Sequence, residues 1–290
     1  MIQSVAVNGI EISYEVIGDG AETLVLIAGG GNQMLDWSDS ICQLFVEQNY
    51  RVVRFDNRDV GTSSKIENDK DQPYTLDDMA DDVAGLIRHI SSDPVHVLGG
   101  SMGGMIAQRL AMRHTDLVAT MCLCVTTTGN AALFKPSASL DALMAPIPEN
   151  IDEYIDQRVE LDRILAGTAF EFDEASKRRT RIEALERCDD RSGQARHGQA
   201  FSLSLEDSAY QKHCQHLREL ELPVSIIQAG ADELFDIDHG EELFSLIPKA
   251  TYKVIEGLGH EMPPGVWPVL VGAIVGLKNR SSENQLSGRP

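Results

Sequence analysis

Residues 96–104 read HVLGGSMGG. An apolar run over 94–98 leads into them, and a helical run over 102–114 leads away. Gly99, Ser101 and Gly103 therefore form G-x-S-x-G between a strand and a helix, the pattern of a nucleophile elbow. A turn this sharp holds its serine in a strained backbone and lifts the hydroxyl clear of the sheet. Side chains two positions before and after would strike the neighbouring strand and helix, and glycine removes them. The helix that starts here aims the Met102 amide, at the positive end of the helix dipole, toward the serine oxygen.

Working outward, the continuous apolar run over 23–28 and the stretches 51–55, 95–99 and 117–125 predict buried strands. Helical spacing over 36–48, 75–90 and 102–114 separates them. Such alternation implies an α/β fold with a mostly parallel sheet flanked by helices. Ahead of it, 4–7 and 11–17 alternate around Asn8-Gly9, a hairpin signal.

The alternation stops after Thr126. Residues 131–216 hold no buried-strand run, only polar helical stretches at 151–165, 173–188, 194–203 and 207–217. The sheet resumes at 223–229, followed by a helix over 238–247, a strand over 251–255 and a helix over 266–277. The expected organisation is a core of 1–130 and 217–280 with a helical cap at 131–216. A tail at 281–290, with Leu286 as its one apolar anchor, is expected to fray.

Forty-five acidic residues against 25 basic ones give a net charge of −20, which makes nucleic acid and anionic membrane poor partners. Part of the charge is local, with seven acids and one base, Lys70, in 67–82. The five cysteines are odd in number and sparse, and Cys122 and Cys124 share one face of a strand. Reduced thiols in a cytoplasmic protein are expected. Residues 1–7 lack the charged start of a secretory signal. No run reaches the ~18 apolar residues of a membrane span.

A serine hydroxyl is a weak nucleophile at neutral pH and needs a base, which in turn needs an orienting carboxylate. Asp232 follows the run 223–229, at the carboxyl end of a predicted parallel strand, where such sheets place their sites. His260 lies in a glycine-flanked loop after the next strand. Ser101, Asp232 and His260 thus occur in the order such a triad requires, with Glu233 a neighbouring rival for the acid. The other histidines fit poorly: His89 and His239 fall in helices, His96 in a strand, His114 at a helix end and His197 in the insertion. His213 and His216 have H-x-x-H spacing without a third ligand, so no metal is expected. Gly29, Gly30 and Gly31 directly follow a central strand, and the Gly30 amide is the expected second oxyanion donor beside that of Met102.

These residues resemble the α/β-hydrolase superfamily over nearly the whole chain. The motifs are Ala28-Gly29-Gly30-Gly31, Asp56-x-Arg58-x-x-Gly61-x-Ser63, the elbow at 99–104, Gly230-Ala231-Asp232 and Gly257-Leu258-Gly259-His260. One departure is Ala28, where that superfamily usually carries a histidine that buttresses the glycine loop. The chain looks most like the aclacinomycin methylesterase branch, through 28–37, 163–168 and 247–263. The resemblance implies a carboxylic ester hydrolase with a helical cap and no metal or organic cofactor.

The expected reaction is acyl transfer from a small-molecule ester to water by a monomer or homodimer. Met34, Leu35, Met102, Phe134, Met144 and Met262 are candidate pocket walls from their apolar character near the motifs. The same triad also serves carbon–carbon bond hydrolases, lactonases and cofactor-free perhydrolases. A ligand-binding, receptor-like protein is the non-enzyme alternative. Ser101 at the elbow excludes chemistry that needs a carboxylate nucleophile there.

Overall fold

The computed structural model describes residues 1–66 and 73–287; 67–72, part of the acidic run, and 288–290 lie outside it. Eight strands form one sheet in the order β1-β2-β4-β3-β5-β6-β7-β8. They are β1 (Ile2–Val7), β2 (Ile10–Ile17), β3 (Glu22–Ile27), β4 (Tyr50–Phe55), β5 (Val95–Gly100), β6 (Val118–Cys124), β7 (Val224–Ala229) and β8 (Ala250–Ile255). The first two form the hairpin around Asn8-Gly9, and β2 joins β4 antiparallel; every other pairing is parallel.

Alternation along the inner strands sorts side chains between two cores. Val25, Ile27, Val53 and Val97 face α2 (Leu76–Ile90), α3 (Met102–Arg113) and α9 (Ile237–Leu246). Leu24, Leu26, Val52 and Leu98 face α1 (Asp39–Val46) and α10 (Trp267–Ser287). Burial on both faces is why these strands read as largely apolar stretches. Thr75 caps α2, its side chain accepting from the Asp78 N–H while Asp78 bonds back to the Thr75 N–H, so both open donors are met.

Between β6 and β7 the chain forms α4 (Ala138–Leu143), α5 (Ile151–Leu165), α6 (Glu174–Arg187), α7 (Ser192–Ser204) and α8 (Asp207–Arg218). The short α4 was not legible in the sequence. Two other expectations change. The helical spacing over 36–48 resolves into a 3-10 turn, Met34–Asp36, and α1. The tail expected to fray from 281 continues as α10 to Ser287. Once a helix is nucleated each further residue adds a bond, so it can extend without an apolar anchor. No helix among the described residues is long and apolar enough to cross a membrane.

Candidate active site

Strand β5 ends at Gly100 and α3 starts at Met102, so Ser101 alone makes the turn, at φ +53° and ψ −127°. A non-glycine residue here costs about 1–3 kcal/mol and persists only if its surroundings hold it. They do. The Ser101 N–H donates to the Cys124 carbonyl (3.0 Å), and its own carbonyl accepts from Thr126 Oγ1 (2.7 Å). A Cβ on Gly99 would lie 2.4 Å from the Gly103 oxygen, and one on Gly103 2.3 Å from the Ile27 oxygen. The two glycines therefore let helix, elbow and strand β3 meet.

Asp232 follows β7 and is buried. Its Oδ1 accepts the N–H groups of Leu234 (2.8 Å) and Phe235 (3.0 Å), which leaves Oδ2 facing His260 Nδ1 at 2.7 Å. A carboxylate only accepts, so Nδ1 carries the proton and Nε2 presents a lone pair to Ser101 Oγ, 2.8 Å away. The rival Glu233 turns instead to Ser139 Oγ (3.1 Å).

The His260 loop is held from the inserted helices by main-chain bonds. The Thr168 and Ala169 N–H groups donate to the Gly257 carbonyl (2.7 and 2.8 Å), and the Gly259 N–H donates to the Ala166 carbonyl (3.2 Å). Approach this close demands glycine: a Cβ on Gly259 would lie 2.1 Å from the Leu165 oxygen, and one on Gly167 2.3 Å from the Gly259 nitrogen. Next to His260, burial lifts the Glu261 carboxyl above the usual range while Lys177 of α6, at 2.7 Å, opposes the rise.

The glycine loop after β3 lies against the elbow. A Cβ on Gly29 would be 3.3 Å from that of Ser101, and one on Gly30 would be 3.4 Å from the Met102 sulfur. As first residue of α3, Met102 has no intrahelical acceptor for its N–H. The Gly31 N–H is engaged by His197 Nδ1 of α7 (2.9 Å). Beneath the loop, Asp56 accepts the Met34 N–H (2.8 Å) and the Thr62 N–H (3.0 Å), and Arg187 of α6 pairs with it at 2.8 Å.

The expected pocket residues divide. The Met262 methyl group packs over Gly100, where a Cβ would be 2.3 Å from it. The Phe134 ring stands edge-on to Phe201 and Phe235, and Phe235 is edge-on to His260 at 5.1 Å between centroids. Leu35 is half-buried in the 3-10 turn that follows the glycine loop. Met34 is buried at 1 % exposure, its N–H tied to Asp56, and serves as core. Met144, at the C-terminal end of α4, is 74 % exposed, which apolar character alone does not foretell.

Phe235 and His197 are the residues near the site that sequence reasoning missed. Both are set by tertiary contacts, although Gly193, one turn before His197, signals a close approach: a Cβ there would strike the Asp59 oxygen at 2.0 Å. Three other histidines are engaged elsewhere. His239 bonds Thr127 (2.8 Å), His213 bonds Gln108 (2.8 Å) and His96 bonds Thr120 (2.7 Å). Burial pushes all three below the usual range.

The family model described as alpha/beta hydrolase fold matches residues 22–263. Rhodomycin D methylesterase DnrP of Streptomyces peucetius is 28 % identical over 288 residues, covering 90 % of this chain and 92 % of the relative. Among solved structures, the esterase RhEst1 of a Rhodococcus species superposes with a TM-score of 0.73 at 23 % identity, covering 95 % of this chain and 99 % of its own. The meta-cleavage product hydrolase CumD of Pseudomonas fluorescens also superposes with a TM-score of 0.73, at 20 % identity, covering 96 % of this chain and 98 % of its own. The parallel sheet, the elbow after its fifth strand and the family match over most of the chain lead to one conclusion: this protein belongs to the alpha/beta hydrolase fold family.

Proposed function

We propose that the protein is a serine carboxylic ester hydrolase acting on small to medium acyl or methyl esters. The observation that carries this reading is the bridge made by His260, 2.8 Å from Ser101 Oγ and 2.7 Å from Asp232 Oδ2. His260 takes the Ser101 proton as the oxygen attacks the ester carbonyl, and Asp232 stabilises the resulting imidazolium. The amides of Gly30 and Met102 receive the negative charge that develops on the carbonyl oxygen. His260 then gives its proton to the leaving alcohol, takes one from water as that water attacks the acyl carbonyl, and returns it to Ser101 Oγ as the acid leaves. Every step uses side chains and amides of the chain, so the proposal includes no metal or organic cofactor.

Helices α4 to α8 act as a cap over the carboxyl edge of the sheet, with Phe134, Leu35 and Met262 toward the substrate. Similarity to a rhodomycin D methylesterase over 90 % of the chain supports an ester as the substrate class. The test is hydrolysis of p-nitrophenyl esters from acetate to dodecanoate, together with methyl esters, by wild type and Ser101→Ala. Turnover of shorter esters that disappears in the variant is expected. A folded wild type inert toward every ester would overturn the reading and turn attention to lactones and diketone-like carbon–carbon substrates.

A further inference from the structure

His197 belongs to the inserted helix α7, yet both its ring nitrogens are used on the core. Nδ1 accepts the Gly31 N–H at 2.9 Å, and Nε2 faces the Arg58 carbonyl at 2.8 Å. A carbonyl only accepts, so Nε2 carries the hydrogen and the ring is neutral. The side chain is 1 % exposed. It is a rigid rod between the glycine loop after β3 and the polar turn after β4.

The glycine loop needs such a rod. Gly29, Gly30 and Gly31 have no side chains to pack, and a cavity of about 40 Å³ lies beside the loop, lined in part by Gly31, Asn32, Gln33 and Arg158. A peptide with this freedom sweeps an amide through many directions unless it is bonded. The other ties from the inserted helices reach side chains or later residues: Arg158 donates to Asn32 Oδ1 (3.2 Å), and Gln33 Nε2 donates to the Ala184 carbonyl (2.7 Å). His197 bonds the Gly31 N–H and so fixes the plane of the peptide that carries the Gly30 carbonyl; the Gly30 N–H lies in the next plane, across a single Cα.

We infer that His197 is a positioning residue, supplied by the cap, that orients the glycine loop so that the Gly30 amide points at the developing oxyanion. The inference rests on the esterase reading for its effect on rate, though not for the bond itself. It also makes the loop depend on cap seating, because α7 brings the acceptor. Asp59 and Arg196 pair beside the ring at 2.7 Å, the Arg58 guanidinium is held by Asp82, and the Tyr74 ring lies edge-on to it at 6.5 Å. Burial holds the imidazole below its ordinary 6.5, so it stays an acceptor through neutral pH.

The test compares His197→Phe, which keeps a ring but has no acceptor, with His197→Gln, whose amide can accept from Gly31 and donate to Arg58. On a p-nitrophenyl ester, His197→Phe should lose about 10- to 100-fold in kcat, as expected for a misplaced catalytic group, with KM little changed. Its affinity for a trifluoromethyl ketone, which forms an oxyanion at Ser101, should fall in parallel, and His197→Gln should recover most of both. Equal kcat in the two folded variants, or a loss confined to KM, would overturn the inference. A second measurement needs neither substrate nor variant. In the wild type, the nitrogen shifts of His197 should report the Nε2–H tautomer, and the Gly31 amide should exchange slowly with solvent. A Nδ1–H tautomer or a rapidly exchanging Gly31 amide defeats the inference even if ester turnover fails everywhere, while the expected signals sustain it and leave only the esterase reading to fall.

Discussion

The loop that carries His260 and the loop that carries Gly30 are both held by the inserted helices, and they are held by different chemistry. At 257–259 the partners are main-chain amides and carbonyls of 166–169, brought so close that Gly167 and Gly259 admit no side chain. At 29–31 the partner is one imidazole, His197, with no strand-like pairing behind it. Amides do not titrate in the physiological range, so the first attachment is indifferent to pH. An imidazole does, so the second holds only while the ring is neutral. In the proposed reaction the base keeps one geometry through two proton transfers, whereas the oxyanion donor must be aimed. The two attachments suit those tasks.

The sharpest way to break the comparison is to remove what the first loop carries. His260→Ala should lower kcat by about four to six orders of magnitude on a p-nitrophenyl ester while circular dichroism and melting stay near wild type. Ser101→Ala should match it, because the two act as one unit.

Next comes the ion pair beneath the glycine loop. Arg187→Met leaves Asp56 buried without its cation, a loss of about 3–5 kcal/mol in urea unfolding. An unchanged urea midpoint would show that water reaches Asp56 and relieves it.

The main-chain attachment is tested by Gly167→Ala. Gly167 sits at φ +73°, and the added methyl group would meet the Gly259 nitrogen, so a cost of about 1–3 kcal/mol is expected, with kcat reduced through His260. A variant of full stability would mean that the 166–169 segment can withdraw without strain.

The smallest effect is acid sensitivity. Burial lowers His197 in the fold, so between its folded value and the ordinary 6.5 the unfolded chain binds a proton that the folded chain does not. Stability contributed by the neutral ring is therefore lost as pH falls below about 6.5. His96, His213 and His239 are lowered in the same direction and add to the loss. The urea midpoint of wild type should fall between pH 7 and pH 5.5, and that of His197→Gln should fall less. Equal falls would assign the acid sensitivity to the other three.

The same contrast separates what was legible in the sequence from what was not. Strands β3, β4, β5 and β6 were visible because burial on both faces leaves a largely apolar stretch, interrupted in β4 by Arg51 and Arg54. Ser101, Asp232 and His260 were visible because each sits at a strand end marked by glycines. The attachment of His197 to Gly31 spans 166 residues and left no periodic trace. A histidine in a polar helix looks like any solvated one until its partner is known. The exposure of Met144 was hidden for another reason, since an apolar side chain just past the end of a short helix can as easily face solvent.

The position of the insertion carries an evolutionary consequence. It leaves the sheet after β6 and returns in β7, and these strands are direct neighbours, Cys124 lying opposite Ile227. In principle recombination could exchange everything between them without disturbing strand register, and so acquire a new substrate range in one event. Here the exchanged block would take Gly167 and His197 with it. A transplanted block that lacked equivalents would arrive with a new specificity and a loosened catalyst. If α4 to α8 set the substrate, as proposed, recognition and turnover would be inherited as one unit.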